Sequence, residues 1–181
     1  MKLIAAFIIG LTIVFGIIHN RNEASLPPLK NTDGIKWMTI EQAEEASAKK
    51  PRKIFVDVYT DWCGWCKRMD KTTFTDPQVV KYVNENFYAV KMDAEDKNNI
   101  IFKGKVFKYN QPREANDLAI MLLNGQMSYP TTVYLDEKLN VIQSIGGYVD
   151  GSQFNLILHY FGQEAYKKKM SLEDFKAQFK P

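Results

Sequence analysis

The stretch KIFVDVYTDWCGWCKRMD, residues 53–70, changes character halfway along. Residues 53–60 are β-branched and aromatic, apolar on both faces except at Asp57, which predicts a central strand in a sheet covered on both sides. From Cys63 onward the stretch turns polar and reads as a helix over roughly 63–72. The two cysteines of the chain, Cys63 and Cys66, fall at that helix start, each preceded by a tryptophan, Trp62 and Trp65.

A cysteine at a helix N-terminus faces unpaired backbone N–H groups and the positive end of the helix dipole, both of which favour its thiolate. Cys63 is therefore the candidate nucleophile. Cys66 lies one turn deeper on the same face, where Cα atoms come within the roughly 4.4–6.8 Å that a disulfide requires. It is the candidate resolving thiol. Two intervening residues close too short a loop for the pair to serve well as a staple. A zinc site would need two further ligands; there is no second cysteine pair, and His19 and His159 are far apart in the chain. A structural thiol pair without turnover remains the plain alternative to thiol-disulfide exchange.

Working outward, FYAVKMD at 87–93 predicts a second strand, and Asp76 followed by Pro77 predicts a capped helix between the two. Strand, helix, helix, strand suggests a crossover unit. Upstream, Thr39 can cap a helix over 40–49. Downstream, residues 94–128 read as a hairpin about Gly104 and a helix begun by Pro112. TTVYLD at 131–136 and VIQSIGG at 141–147 form a hairpin about EKLN, and two helices follow at about 152–160 and 171–179, the second capped by Ser171.

The chain has 181 residues, 45% hydrophobic and 25% charged, enough for one domain with a proper core. Its formal charge of +3 falls to about +1 without residues 1–22, which carry Lys2 and Arg21, so no dedicated nucleic-acid surface is expected. Those first residues place a lysine ahead of an uncharged apolar run, Leu3 to Ile18. We read 1–22 as an export segment, either a cleaved signal peptide or a retained membrane anchor using residues 3–18. Residues 23–34, with a double proline and an Asp-Gly turn, read as a linker, and 35–181 as the domain. Export places the cysteines where disulfides persist.

The run from Asp57 through Trp62-Cys63-Gly64-Trp65-Cys66-Lys67 resembles the active-site region of the thioredoxin superfamily, in particular exported thioredoxin-like proteins and thiol:disulfide interchange proteins. SYPTTVYLD is similar to that family's cis-proline segment, Gly146-Gly147 to its glycine stretch, and Lys91 to a lysine neighbouring the buried aspartate. The resemblance covers about residues 35–162. It implies an α/β thioredoxin-like fold, a central mixed sheet flanked by helices, with an insertion at about 94–128 before the cis-proline strand.

The resemblance also implies roles. Asp57 would be the base that takes a proton from Cys66, with Lys91 modulating it and Gly64 and Lys67 completing the motif. Pro130, in cis, would leave Tyr129 to pair with an extended substrate. Trp62 and Trp65 would form an apolar rim. Trp65 departs from thioredoxin, which has proline there, and this position tunes the redox potential. The expected activity is protein thiol-disulfide exchange in the periplasm, preferably as a reductase. No cofactor or metal is called for; the expected partners are protein or peptide disulfides and a membrane or periplasmic electron donor. A disulfide oxidase or isomerase, and a non-catalytic binding or chaperone module, are the alternatives.

Overall fold

Residues 53–59 carry no exposed side chain, because both faces of the strand they form are covered. The computed structural model describes residues 34–180; the export segment at 1–22 and the linker up to residue 33 lie outside them. No helix among the described residues is long and apolar enough to cross a membrane.

In chain order the elements are β1 (Trp37–Met38), α1 (Ile40–Lys49), β2 (Lys53–Tyr59), α2 (Gly64–Thr72), α3 (Pro77–Asn86) and β3 (Phe87–Asp93). A more irregular stretch then holds β4 (Ile100–Phe102), β5 (Lys105–Phe107), β6 (Tyr109–Asn110), β7 (Ala115–Asn116) and α4 (Asp117–Leu122). The chain closes with β8 (Thr131–Leu135), β9 (Val141–Gly146), α5 (Gly151–Gly162) and α6 (Leu172–Gln178). The main sheet runs β1-β3-β2-β8-β9, parallel through the first three strands and antiparallel through the last two. β2 sits at its centre.

Alternation along β2 builds two cores. Ile54, Val56 and Val58 pack with Ile40 and Ala43 of α1 and Leu118 and Leu122 of α4. Phe55 points the other way, into Met69, Val79, Val83, Phe154 and Leu158 from α2, α3 and α5. Period-2 geometry sends Asp57 to the Phe55 face, toward α2.

Local signals account for most helix starts. Thr39 caps α1 in a box with Gln42, and Asp76 accepts from the backbone of Gln78 and Val79 with Pro77 at the first helical position. Asp150 and Ser171 cap α5 and α6. The expected hairpin about Gly104 is β4–β5, and the hairpin about EKLN is β8–β9.

The helix expected to begin at Pro112 is a correction. Pro112 sits instead in a single 3₁₀ turn, Gln111–Arg113, ended by Glu114 in the left-handed region at φ 50°. Ala115 and Asn116 then pair with Asn110 and Tyr109. Asn116, fully buried, starts α4 by accepting from the backbone of Leu118 while its amide donates to the carbonyls of Asp96 and Asn98. Asn110 caps only the 3₁₀ turn, accepting from the Arg113 N–H, whereas Asn116, six residues on and held by tertiary partners, begins the helix.

Candidate active site

The end of β2 delivers the chain to α2 through Thr60, Asp61 and Trp62, with the Cys63 N–H donating to the Thr60 carbonyl at 3.1 Å. Cys63 is the N-cap of α2, and its sulfur accepts from the Cys66 N–H at 3.0 Å. A sulfur thus occupies the position that Ser or Asp oxygens usually take. Cys63 and Cys66 are disulfide-bonded, their Cα atoms 5.3 Å apart, and both are buried. Gly64 opens the helix with free space where a Cβ would stand, and Lys67 is exposed.

Beneath α2, Asp57 is 1% exposed and pairs in register with Lys91 of β3. The Lys91 Nζ donates to Asp57 Oδ2 at 2.6 Å and makes a second ion pair with Asp70 of α2. Asp57 Oδ1 is buried without a hydrogen-bond partner among the described residues. Burial pushes the Asp57 carboxyl up to about 6 from 3.8, against the opposing pull of Lys91. Burial disfavours the Lys91 charge, but Asp57 and Asp70 outweigh it and hold the ammonium above its ordinary range. The rings of Trp37, Tyr59 and Phe74 surround Lys91, their centroids about 5 Å from Nζ.

The rim has two aromatic pairs. Trp62, 66% exposed, meets Tyr129 edge-on at 5.8 Å, and its indole N–H donates to Glu95 at 2.7 Å. The Tyr129–Pro130 peptide bond is cis, and the Pro130 carbonyl accepts from Gly147 at 2.8 Å. Burial, with the charges of Glu95 and Asp93 adding to it, pushes the Tyr129 hydroxyl up to about 12. Burial and the neighbouring charges of Asp61, Glu95 and Asp96 also hold Asp93 above the usual carboxylate range, against the stabilising Glu95 N–H. On the other side Trp65, 56% exposed, meets Tyr148 at 5.4 Å with the rings tilted by 46°. Gly147 at φ +95° sets up the turn that presents Tyr148, whose hydroxyl lies 3.1 Å from Thr72 Oγ1.

The structure therefore ties Asp57 and Lys91, through Asp70, to the helix that Cys63 caps and Cys66 belongs to, and sets Trp62 against Tyr129 and Trp65 against Tyr148 near its start. Asp70, Glu95 and Tyr148 went unread in the sequence. Asp70 carries a signal, since it lies four residues after Cys66 and so on the same helix face. Glu95 and Tyr148 are placed by loops and carry none.

Residues 40–162 match the family model of the thioredoxin-like domain. Thiol:disulfide interchange protein DsbD of Haemophilus influenzae (strain PittEE) is 28% identical over 132 residues, which cover 70% of this chain and 20% of that protein. The chain thus spans about a fifth of the length of the curated relatives it matches. Among solved structures, a thioredoxin-fold protein from Helicobacter pylori aligns with a TM-score of 0.55 at 17% identity, covering 81% of this chain and 87% of its own. A thioredoxin from Thermus thermophilus aligns at 0.54 and 17%, covering 71% and 87%. These likenesses carry the fold. The chain belongs to the thioredoxin-like domain family, and its Cys63 and Cys66 form a disulfide at the start of α2.

Proposed function

We propose that this chain reduces disulfides of protein or peptide substrates outside the cytoplasm. The observation that carries the reading is the Cys63 sulfur at the N-cap of α2, accepting the Cys66 N–H above a buried Asp57. In the reduced protein the same N–H and the helix dipole stabilise the Cys63 thiolate. That thiolate attacks one sulfur of the substrate disulfide, expels the other as a thiolate, and forms a mixed disulfide. Asp57 takes the Cys66 proton, and Cys66 attacks Cys63 Sγ, releasing the second substrate sulfur. The substrate leaves as two thiols and the chain as the Cys63–Cys66 disulfide.

Renewed turnover needs two electrons from a dithiol donor, which we assign to a membrane or periplasmic redox protein because of the likeness to DsbD. Tyr129 offers backbone groups to an extended client, and Trp62 and Trp65 cover its apolar side chains. The apolar run Leu3–Ile18 supports export, by a cleaved signal or a retained anchor.

The test is insulin reduction with dithiothreitol as donor, together with the equilibrium potential of the couple against glutathione. Turnover lost on Cys63→Ser and a potential near −270 mV support the reading, whereas a value near −120 mV replaces it with an oxidase. The two exposed tryptophans also suit a module that holds extended chains without chemistry. Client binding with no turnover, unchanged on Cys63→Ser, would establish that second reading instead.

A further inference from the structure

The two aromatic pairs at the rim carry opposite charges. On one side, Glu95 is hydrogen-bonded to the Trp62 indole, with Asp61 next to Trp62 in the chain, Asp93 at the end of β3 and Asp96 on the loop that follows it. On the other, the Arg68 guanidinium lies over both rings of the second pair, 5.3 Å from the Trp65 centroid and 5.4 Å from that of Tyr148. Arg68 is exposed, as are its neighbours Lys67 and Lys71 on the same helix. Arg68 makes no ion pair with a carboxylate among the described residues, and a guanidinium near an aromatic ring still has several N–H groups to offer one. Glu95 uses one carboxylate oxygen for Trp62, and Asp61 is exposed beside it. Each tryptophan is thus fixed by a charged group that still faces the partner.

Trp62 and Trp65 flank Cys63 in the chain at the start of α2, so a client chain whose cysteine reaches Cys63 would meet one pair on each side of it. Its residues on one side of that cysteine pass the carboxylates, and those on the other side pass Arg68. Charges facing each other at such a distance affect encounter and register more than final affinity, and salt weakens the effect.

We propose that the two pairs form a charge-polarised channel selecting extended disulfide segments with a basic residue on the Trp62 side of the cysteine and an acidic one on the Trp65 side. Arg68 and Glu95 are its specificity-determining residues. The inference rests on the exchange reading above and adds to it a class of client and an orientation.

The test uses the full chain, pre-reduced, in single turnover with synthetic peptides. Each peptide holds one cysteine as a mixed disulfide with 2-mercaptoethanol. One has Glu before and Lys after the cysteine, one has the reverse order, and one has Ser at both positions. One charged order is expected to react about fivefold faster than the other at low ionic strength, the difference collapsing in about 0.5 M salt. Arg68→Lys should keep that preference and Arg68→Glu should erase it. Equal rates for the two charged orders, with the neutral peptide reacting, would overturn the polarised channel and leave the exchange activity standing. If the neutral peptide is inert as well, the exchange activity itself is refuted and the channel with it.

Discussion

Lys91 lies directly across the β2–β3 ladder from Asp57, and its ammonium reaches both that buried carboxylate and Asp70 on the helix that carries the cysteines. One cation therefore joins the central strand, its neighbour and α2. The pair is not symmetrical, because Asp57 is buried while Asp70 is half-buried.

Asp57 titrates near 6 in the folded protein against 3.8 when unperturbed. Between those values the native state binds more protons than the unfolded chain, so stability falls as pH rises through the window, and the whole cost stands above it. A displacement of this size is worth roughly 3 kcal/mol. Asp57→Asn is expected to stabilise the protein at pH 8 by about 1–3 kcal/mol, the lower end reflecting the partner Lys91 loses, and to flatten the pH dependence between about 4 and 6. Urea unfolding at several pH values measures both. The same substitution should slow resolution of the mixed disulfide about ten- to hundredfold and remove the rise in rate as Asp57 ionises.

Removing the cation should act in the opposite sense. Lys91→Met leaves Asp57 buried without its partner, so the carboxyl titrates higher still, and the inflection of the rate against pH moves upward. We expect a loss of about 1–3 kcal/mol at pH 8, shrinking as the pH is lowered and Asp57 takes up its proton. An unmoved inflection would show that Lys91 does not act on Asp57.

A second lysine, more deeply buried than Lys91, bears on stability. Lys53, its side chain 7% exposed, lies 2.6 Å from Glu137 of the β8–β9 turn and 2.8 Å from Glu164 beyond α5. Hydrogen bonds from Lys167 and Lys53 pull Glu164 down to about 2. A depressed carboxyl contributes above its unfolded value and loses that contribution as the pH falls toward the folded one. Lys53→Met is expected to cost about 1–2 kcal/mol, because both carboxylates stay in reach of water, and to soften the decline in melting temperature below about pH 4.5. Exchange activity should be untouched.

Trp65 occupies the second position of α2, where a backbone N–H has no intrahelical acceptor and proline is tolerated. Trp65→Pro should therefore fold normally, within about 1 kcal/mol of the parent. It dismantles the contact with Tyr148 and Arg68, so KM for protein disulfides should rise severalfold with little change in kcat. The potential should move toward the reducing end, since the residues between the cysteines tune it. Steady-state kinetics and a glutathione titration on the same preparation check both expectations.

How much of this could be read in advance depends on where each residue takes its orders. β2, α2 and the capped start of α3 are set by local patterning, and they stand where the sequence predicts. Asp57 could be read as buried because Phe55, Val56, Val58 and Tyr59 surround it in the strand. Its pairing with Lys91 came only through resemblance, because two strands fix their register by packing and not by any motif. The start of α4 at Asn116 depends on contacts with Asp96 and Asn98, some twenty residues upstream, which no local window contains. Glu95 and Tyr148 reach the rim from loops for the same reason.

The hydrogen bond from the Cys66 N–H to Cys63 Sγ exists already in the closed disulfide. On the proposed exchange, charge that arrives on that sulfur when the bond opens would find a donor already in place. The electrostatic work of making a thiolate would then be done during folding and not repeated at each cycle, the same economy by which preorganised dipoles lower reorganisation energy in enzymes. On the proposed reading, this donor would serve exchange in either direction alike, and the choice between directions would rest on what stands around α2.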